Sequence, residues 1–345
     1  MKTKFFSFFA ASAMMLAASC SSTDVEESLL PEESVKGECL TVNVEVPSGD
    51  LSMSRADIPD GWGLRCMVYL VYLDQDGNIV LDESNRKAKM KVLSEMYTGD
   101  ASLRFTGVEP GKYAICGFCS YVKDGDTSLD VKVPYEFSHV GNVNGIYPQF
   151  PVSMNSKADD GSIINFNNDL YDCWKGKVDF EKTDINASVS LPLKRAVNMV
   201  RFSQTNGSEP DAYGSQSLAG LKVVCLQYNT YINLWSDEVI NSFNSIRFSI
   251  EDFTGLPNWN LGSLYLPKQN YSIGFSLTPT AKPELDVEFK AVTVSSLTFD
   301  KANVKYNLQG NYLVETGANV NVNVTMEDEW GQNITSYPEP EYSNP

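Results

Sequence analysis

Histidine is almost absent from this sequence: there is one, His139, in 345 residues. Imidazole metal sites and Ser-His-Asp or Cys-His catalysis would all have to use that side chain. It falls in Phe137-Ser138-His139-Val140-Gly141, a loop-like stretch, and reads as a surface or packing residue. Positive charge is also scarce, with 27 Lys+Arg against 44 Asp+Glu and a formal charge of −17. No segment is a Lys/Arg cluster, which argues against a protein that grips nucleic acid by its phosphates. No Walker loop and no Gly-x-Gly-x-x-Gly in a strand–helix context is present, so nothing points to nucleotide use. Nowhere does the chain approach the roughly 18 consecutive apolar residues of a membrane-crossing helix. Seven cysteines spread over the whole length do not make a disulfide miniprotein.

What is present begins with an address. Lys2 and Lys4 form a short positive region, and Phe5 to Leu16 is an apolar run of signal-peptide length. It ends in Leu16-Ala17-Ala18-Ser19-Cys20, which resembles a bacterial lipobox, with leucine one place further out than usual. Residues 1–19 are therefore expected to be a lipoprotein signal peptide, and Cys20 the lipidated first residue. Several acyl chains on that cysteine would anchor it stably in the outer membrane. Residues 20–37 are polar and acidic and read as a tether. The acidic residues just after Cys20 also resemble the surface-export signal of Bacteroidetes lipoproteins.

Beyond the tether the dominant hydrophobic period is two. Leu40, Val42, Val44 and Val46 alternate with Thr41, Asn43 and Glu45, the pattern of a half-buried strand. Cys66 to Leu73 is a more continuously apolar strand. Asp74-Gln75-Asp76-Gly77-Asn78 then reads as a hairpin turn, because Asp-Gly tolerates positive φ. A calcium loop fails there, since the glycine comes one residue after the second Asp and no Glu sits at the twelfth position. Further strands are expected at 88–97, 101–106, 112–120, 147–153 (flanked by prolines, so at an edge), 187–193, 196–203, 219–227, 245–250, 270–278, 285–298, 311–314 and 319–326. The one modest helix candidate is 235–243. Many short strands between Gly, Asn, Asp and Pro turns argue for β-sandwiches. We expect a domain over 38–180, a linker around 175–186, a second domain over 181–336, and a polar tail at 337–345.

Candidate chemistry is thin. In Cys116-Gly117-Phe118-Cys119 the two thiols would point to opposite faces of a strand, so they cannot close on a metal without a turn, and they read as buried structural thiols. The six cysteines after Cys20 allow fifteen full pairings, among which sequence does not choose. Glu327-Asp328-Glu329-Trp330 reads as a solvated strand end. Trp62, Trp174, Trp235 and Trp259 lie in or near turn-rich segments; exposed aromatics would suit glycan or protein binding, and buried ones would plug sandwich ends. The spacing nominates no catalytic residue, no metal site and no cofactor, and the chain is read as a non-enzyme.

Four features taken in order resemble the fimbrillin superfamily of Bacteroidetes. They are the lipoprotein start, Met53-Ser54-Arg55-Ala56 after the first strand, the apolar strand Val68-Tyr69-Leu70-Val71-Tyr72-Leu73 running into Asp76-Gly77, and Leu191-Pro192-Leu193-Lys194-Arg195-Ala196-Val197-Asn198-Met199-Val200. Asn167-Asn168-Asp169-Leu170-Tyr171-Asp172-Cys173-Trp174 is similar to an Asp-rich, aromatic segment in one subgroup. The resemblance implies an all-β chain of two tandem transthyretin-like Greek-key β-sandwich domains. It also implies surface display in a fimbrium, head-to-tail assembly with other subunits as a homo- or hetero-polymer, and an adhesive contact to host or bacterial surface glycan or protein.

A mechanism can be read beside it. The C-terminal Val320, Val322 and Val324 alternate with asparagines as the first strand alternates with polar residues, so the segments at 40–46 and 319–326 are matched candidates for displaced and donor strands. Arg55, followed by Ala56, lies in a Ser-, Gly- and Asp-rich stretch, 48–60, open to an Arg-directed protease. Cleavage there would free the first strand and the lipid together. Two other readings stay open: a surface glycan-binding lipoprotein, and a glycoside hydrolase, which would need a cleft with two carboxyl groups roughly 5–10 Å apart.

Overall fold

The structure, a computed structural model, describes residues 38–47, 61–84, 87–97, 101–123, 135–137, 151–154, 169–209, 212–229, 231–240, 244–314, 322–328 and 332–334. In chain order the strands are β1 (Cys39–Glu45), β2 (Trp62–Leu73), β3 (Met90–Met96), β4 (Ala101–Thr106), β5 (Gly111–Lys123), β6 (Tyr135–Phe137), β7 (Pro151–Met154), β8 (Cys173–Lys182), β9 (Asn186–Pro192) and β10 (Lys194–Arg195). They continue as β11 (Val197–Gln204), β12 (Leu218–Tyr228), β13 (Tyr231–Asn233), β14 (Asn244–Ile250), β15 (Asn260–Pro267), β16 (Ser272–Ala281), β17 (Val292–Thr298), β18 (Val304–Gly310), β19 (Val322–Asp328) and β20 (Gln332–Ile334). Among the described residues the helical pieces are short 3-10 turns, so the all-β expectation holds.

The first sandwich packs a three-stranded sheet, β4-β1-β9, on a five-stranded one, β10-β8-β5-β2-β3. Leu40, Val42, Leu103 and Phe105 from the small sheet meet Leu64, Val68, Leu70, Ile115 and Tyr121 from the large one. The second sandwich packs β15-β11-β18-β19-β20 on β14-β12-β16-β17, with Val200, Phe202 and Leu308 against Val223, Phe275 and Val294. A further small sheet, β13-β7-β6, completes the set.

The central strands of the first sandwich's large sheet, β2 and β5, are buried on both faces. Their far face, with Met67, Tyr69, Ala114, Cys116 and Phe118, is continuous with the core of the second sandwich. That is why Cys66–Leu73 carries apolar residues on both sides instead of alternating.

Several sequence expectations are corrected. The boundary at 180/181 falls inside β8, and most of the expected 175–186 linker is strand. β9 runs parallel to β1 and, with the residue after it, sets Leu191 and Leu193 into the first core. Gly117 and Gly176 are cross-strand partners that make room for it: a Cβ on Gly117 would lie 2.6 Å from Leu191 Cδ2, and one on Gly176 would run into the Pro192 carbonyl oxygen.

The helix expected at 235–243 is not formed at 235–240; residues 241–243 lie outside the described residues. There the turn chemistry of Asn233 and Ser236 wins, the Asn233 side-chain oxygen accepting the Trp235 N–H at 3.0 Å. The strand expected at 147–153 appears as β7, which pairs on both sides and is not an edge. The strand expected over 285–298 is confined to β17, after a 3-10 turn at Pro283–Leu285. The one expected at 311–314 lies instead at β18.

Candidate functional site

The first strand sits in a slot. β1 pairs antiparallel with β4 along six positions and parallel with β9 along seven. The register builds three apolar rows across the small sheet: Phe105–Leu40–Ala187, Leu103–Val42–Val189 and Ala101–Val44–Leu191. Leu40 and Val42 are fully buried, and Val44 and Val46 nearly so. The outer face of the strand is polar. Asn43 Nδ2 donates to Ser188 Oγ at 2.9 Å, and Ser102 Oγ donates to Asn43 Oδ1 at 2.7 Å. The ends are sealed by Cys39 N–H to Ile185 O and by Leu193 N–H to Glu45 O, both 2.9 Å. The Cys39 thiol donates to Asn186 Oδ1 at 2.8 Å.

Beneath the slot lies a disulfide. Cys66 and Cys119 are directly opposed on β2 and β5 and are joined. Both belong to the core cluster that holds Leu40 and Val42. This corrects the reading of 116–119 as two thiols: Cys119 is oxidised, while Cys116, on the opposite face, is free and buried. Also on the slot floor, Tyr113 has its phenol pushed up to about 12, chiefly by burial, then by neighbouring Tyr72 and Glu109.

Magnitudes decide how such a strand could move. Fully burying a Val or Leu contributes ~1.5–3 kcal/mol, so the four alternate residues contribute on the order of 6–12 kcal/mol, an upper bound given the extended-chain reference. Whole domains are stable by only ~5–15 kcal/mol. A cut in the connection between 47 and 61 would therefore leave the strand in place. Only a second strand of the same pattern could exchange for it.

At the other end of the chain, β19 pairs with β18 over seven positions, with Leu308 opposite Val324 and Gly310 opposite Val322. β20 covers only Met326–Asp328 on the outer side. Among the described residues, the Val322–Thr325 edge thus has a ladder on one side alone. Val320, Arg55, Ala56, Cys20 and His139 lie outside the described residues. Of the tryptophans, Trp174 is buried, Trp62 and Trp235 are half-buried, and Trp259 is exposed.

Sequence reasoning missed one constellation. Asp172 and Arg195, both buried, join through two parallel hydrogen bonds. The segments containing them, 167–174 and 191–200, stood out separately as motifs, but nothing in their spacing showed that they meet.

No protein-family model matches the sequence, and no curated protein matches it. The chain is similar to several solved structures. One, from Bacteroides thetaiotaomicron, is named a candidate polysaccharide-binding protein; it is 12% identical with a TM-score of 0.47, and the match covers 86% of this chain and 98% of that one. Another is a fimbrial assembly protein from Parabacteroides distasonis, 11% identical with a TM-score of 0.42, covering 87% and 99%. A third is the fimbrial anchor protein Mfa2 from Porphyromonas gingivalis, 13% identical with a TM-score of 0.43, covering 87% and 100%.

Proposed function

We propose that this chain is a structural or adhesive component of a cell-surface fimbrium, exported as a lipoprotein on Cys20 and joined to other subunits by strand exchange. The observation that carries this reading is the placement of β1. It is a separate strand held between β4 and β9, it fills a core with alternate side chains, and the connection after it contains Arg55. Cleavage after Arg55 cuts the covalent link between the body and the strand with its lipid, and an incoming strand then displaces β1 from the slot. The C-terminal segment with Val320, Val322 and Val324 is the matched donor. To act, it gives up its seven pairs with β18 and its three with β20.

Limited Arg-specific proteolysis of the purified full-length precursor tests this. The expected result is a ladder of multimers on unheated denaturing gels, with an N-terminus at Ala56. Monomers that keep the 38–47 strand, or a mature start at Cys20 alone in surface-sheared material, would overturn the polymerising role. Loss of acyl label in Cys20→Ser checks the anchor separately.

A further inference from the structure

A cleft of about 340 Å³ opens on the far side of the first sandwich's large sheet, away from the β1 slot. Its floor is made by strand ends. Lys177, Asp179 and Glu181 stand on one face of β8, Lys112 is paired with Glu181 from β5, and Leu73 is paired with Lys112 from β2. Gly77 of the β2–β3 turn, Trp235, Tyr113 and Phe180 complete the lining.

Much of this lining is fixed in advance. Lys175 Nζ donates to the Asn233 and Ser236 carbonyls, each at 2.8 Å, and pairs with Asp237 at 3.0 Å. Lys177 Nζ lies 4.5 Å from the centre of the Trp235 ring and 2.8 Å from the Asp179 carboxylate. In the β2–β3 turn, Asp74 Oδ1 accepts the Asp76 and Asn78 N–H groups at 2.9 and 2.8 Å, and Lys112 Nζ donates to Gln75 O at 2.6 Å. A site already ordered when empty loses less entropy on binding.

The chemistry of the lining narrows the ligand. An anion would meet two carboxylates, and a cation two ammonium groups. An extended peptide would find no free ladder, because the floor is the face of a paired sheet and not its edge. An apolar ligand would leave four charged groups without water. A neutral polyol fits. Its hydroxyls both donate to Asp179 and Glu181 and accept from Lys112 and Lys177, and its C–H groups suit an apolar wall. The volume is at the low end of the roughly 300–1,000 Å³ usual for small-molecule sites.

We propose that this cleft binds a neutral saccharide, with Trp235 as its apolar wall and Asp179 and Glu181 as hydroxyl acceptors. The inference is independent of strand exchange. The test uses the full-length chain titrated by calorimetry with neutral hexasaccharides of glucose, mannose, galactose and xylose, and separately with polygalacturonate and a mixed peptide digest. Binding of at least one neutral oligosaccharide is expected, weakened at least about tenfold (about 1.4 kcal/mol) both by Trp235→Ala and by Asp179→Asn combined with Glu181→Gln. The exposed carboxamide pair decides alone if Trp235→Ala does not fold. No binding by any neutral sugar, binding that survives the variants, or binding only to the polyanion or the peptides overturns the proposal.

Discussion

Asp172 and Arg195 meet in a buried two-point contact, with Nε to Oδ1 and Nη2 to Oδ2 both at 2.8 Å. The guanidinium also lies 5.5 Å from the Trp174 ring centre and donates from Nη1 to Asn303 Oδ1 at 3.3 Å. Asn303 sits in the turn before β18, at φ 63, and its N–H bonds to Val197 O. One ion pair therefore links the end of the first sandwich to a turn of the second.

Removing one partner should cost more than removing both. Arg195→Met leaves the Asp172 carboxylate buried without its cation, and about 3–5 kcal/mol of stability should be lost. Arg195→Met with Asp172→Leu should recover much of it. Urea unfolding of the two variants checks this, and a double variant weaker than the single one would contradict the argument.

The Cys66–Cys119 bond closes a loop of 53 residues' separation. On chain-entropy grounds its loss should cost about 4 kcal/mol. Cys66→Ala with Cys119→Ala should lower the urea midpoint, and reductant should lower that of the parent but not of the variant. Equal sensitivity of both to reductant would place the effect elsewhere.

Gly117 and Gly176 should differ in what they tolerate. At Gly117 an added methyl meets Leu191 Cδ2, a side-chain atom that can swing. At Gly176 it meets the Pro192 carbonyl, which can move only with β9. Gly176→Ala should cost roughly 1–3 kcal/mol, as overpacking does, and Gly117→Ala less. Thermal melts that rank them the other way would count against the close approach of β9.

Alkali should destabilise the fold in a defined window. Burial pushes the Cys116 and Cys225 thiols up to about 12 from an ordinary 9.0, and it pushes Cys173 up as well. Above pH 9 the unfolded chain releases these protons while the native chain retains them. Stability should thus hold near neutrality and fall between about 9 and 12, by up to ~1.4 kcal/mol per pH unit for each group. Urea midpoints across that range measure it. In parallel, iodoacetamide at mildly alkaline pH should leave all three thiols of the native protein unmodified.

How much of this was readable depended on what each strand faces. β1 was legible because one side is core and the other solvent. β2 and β5 were legible as apolar runs, since both their faces are covered. β8 was not, because Lys175, Lys177, Asp179 and Glu181 make it look like a charged linker; Lys175 and Lys177 are spent on holding the 233–237 turn and Trp235, a use visible only in three dimensions. β18 carries a clean alternation of Val304, Tyr306 and Leu308, while the reading at 311–314 followed Tyr312, Leu313 and Val314, which are buried after the strand ends. Of the site, the alternation at 40–46 was legible, but not that β9 would be its parallel neighbour. The disulfide needed the Cys66–Cys119 register to single it out from fifteen pairings.

One strand serves two cores. Along β5, Ile115, Cys119 and Tyr121 point one way and Ala114, Cys116 and Phe118 the other. A fragment ending at β10 would present Met67, Tyr69 and Phe118 to water as an oily wall, and would clump where the intact protein stays dispersed. By the same token, heating should melt both layers of the molecule in a single calorimetric peak, because neither can let go without stripping the other.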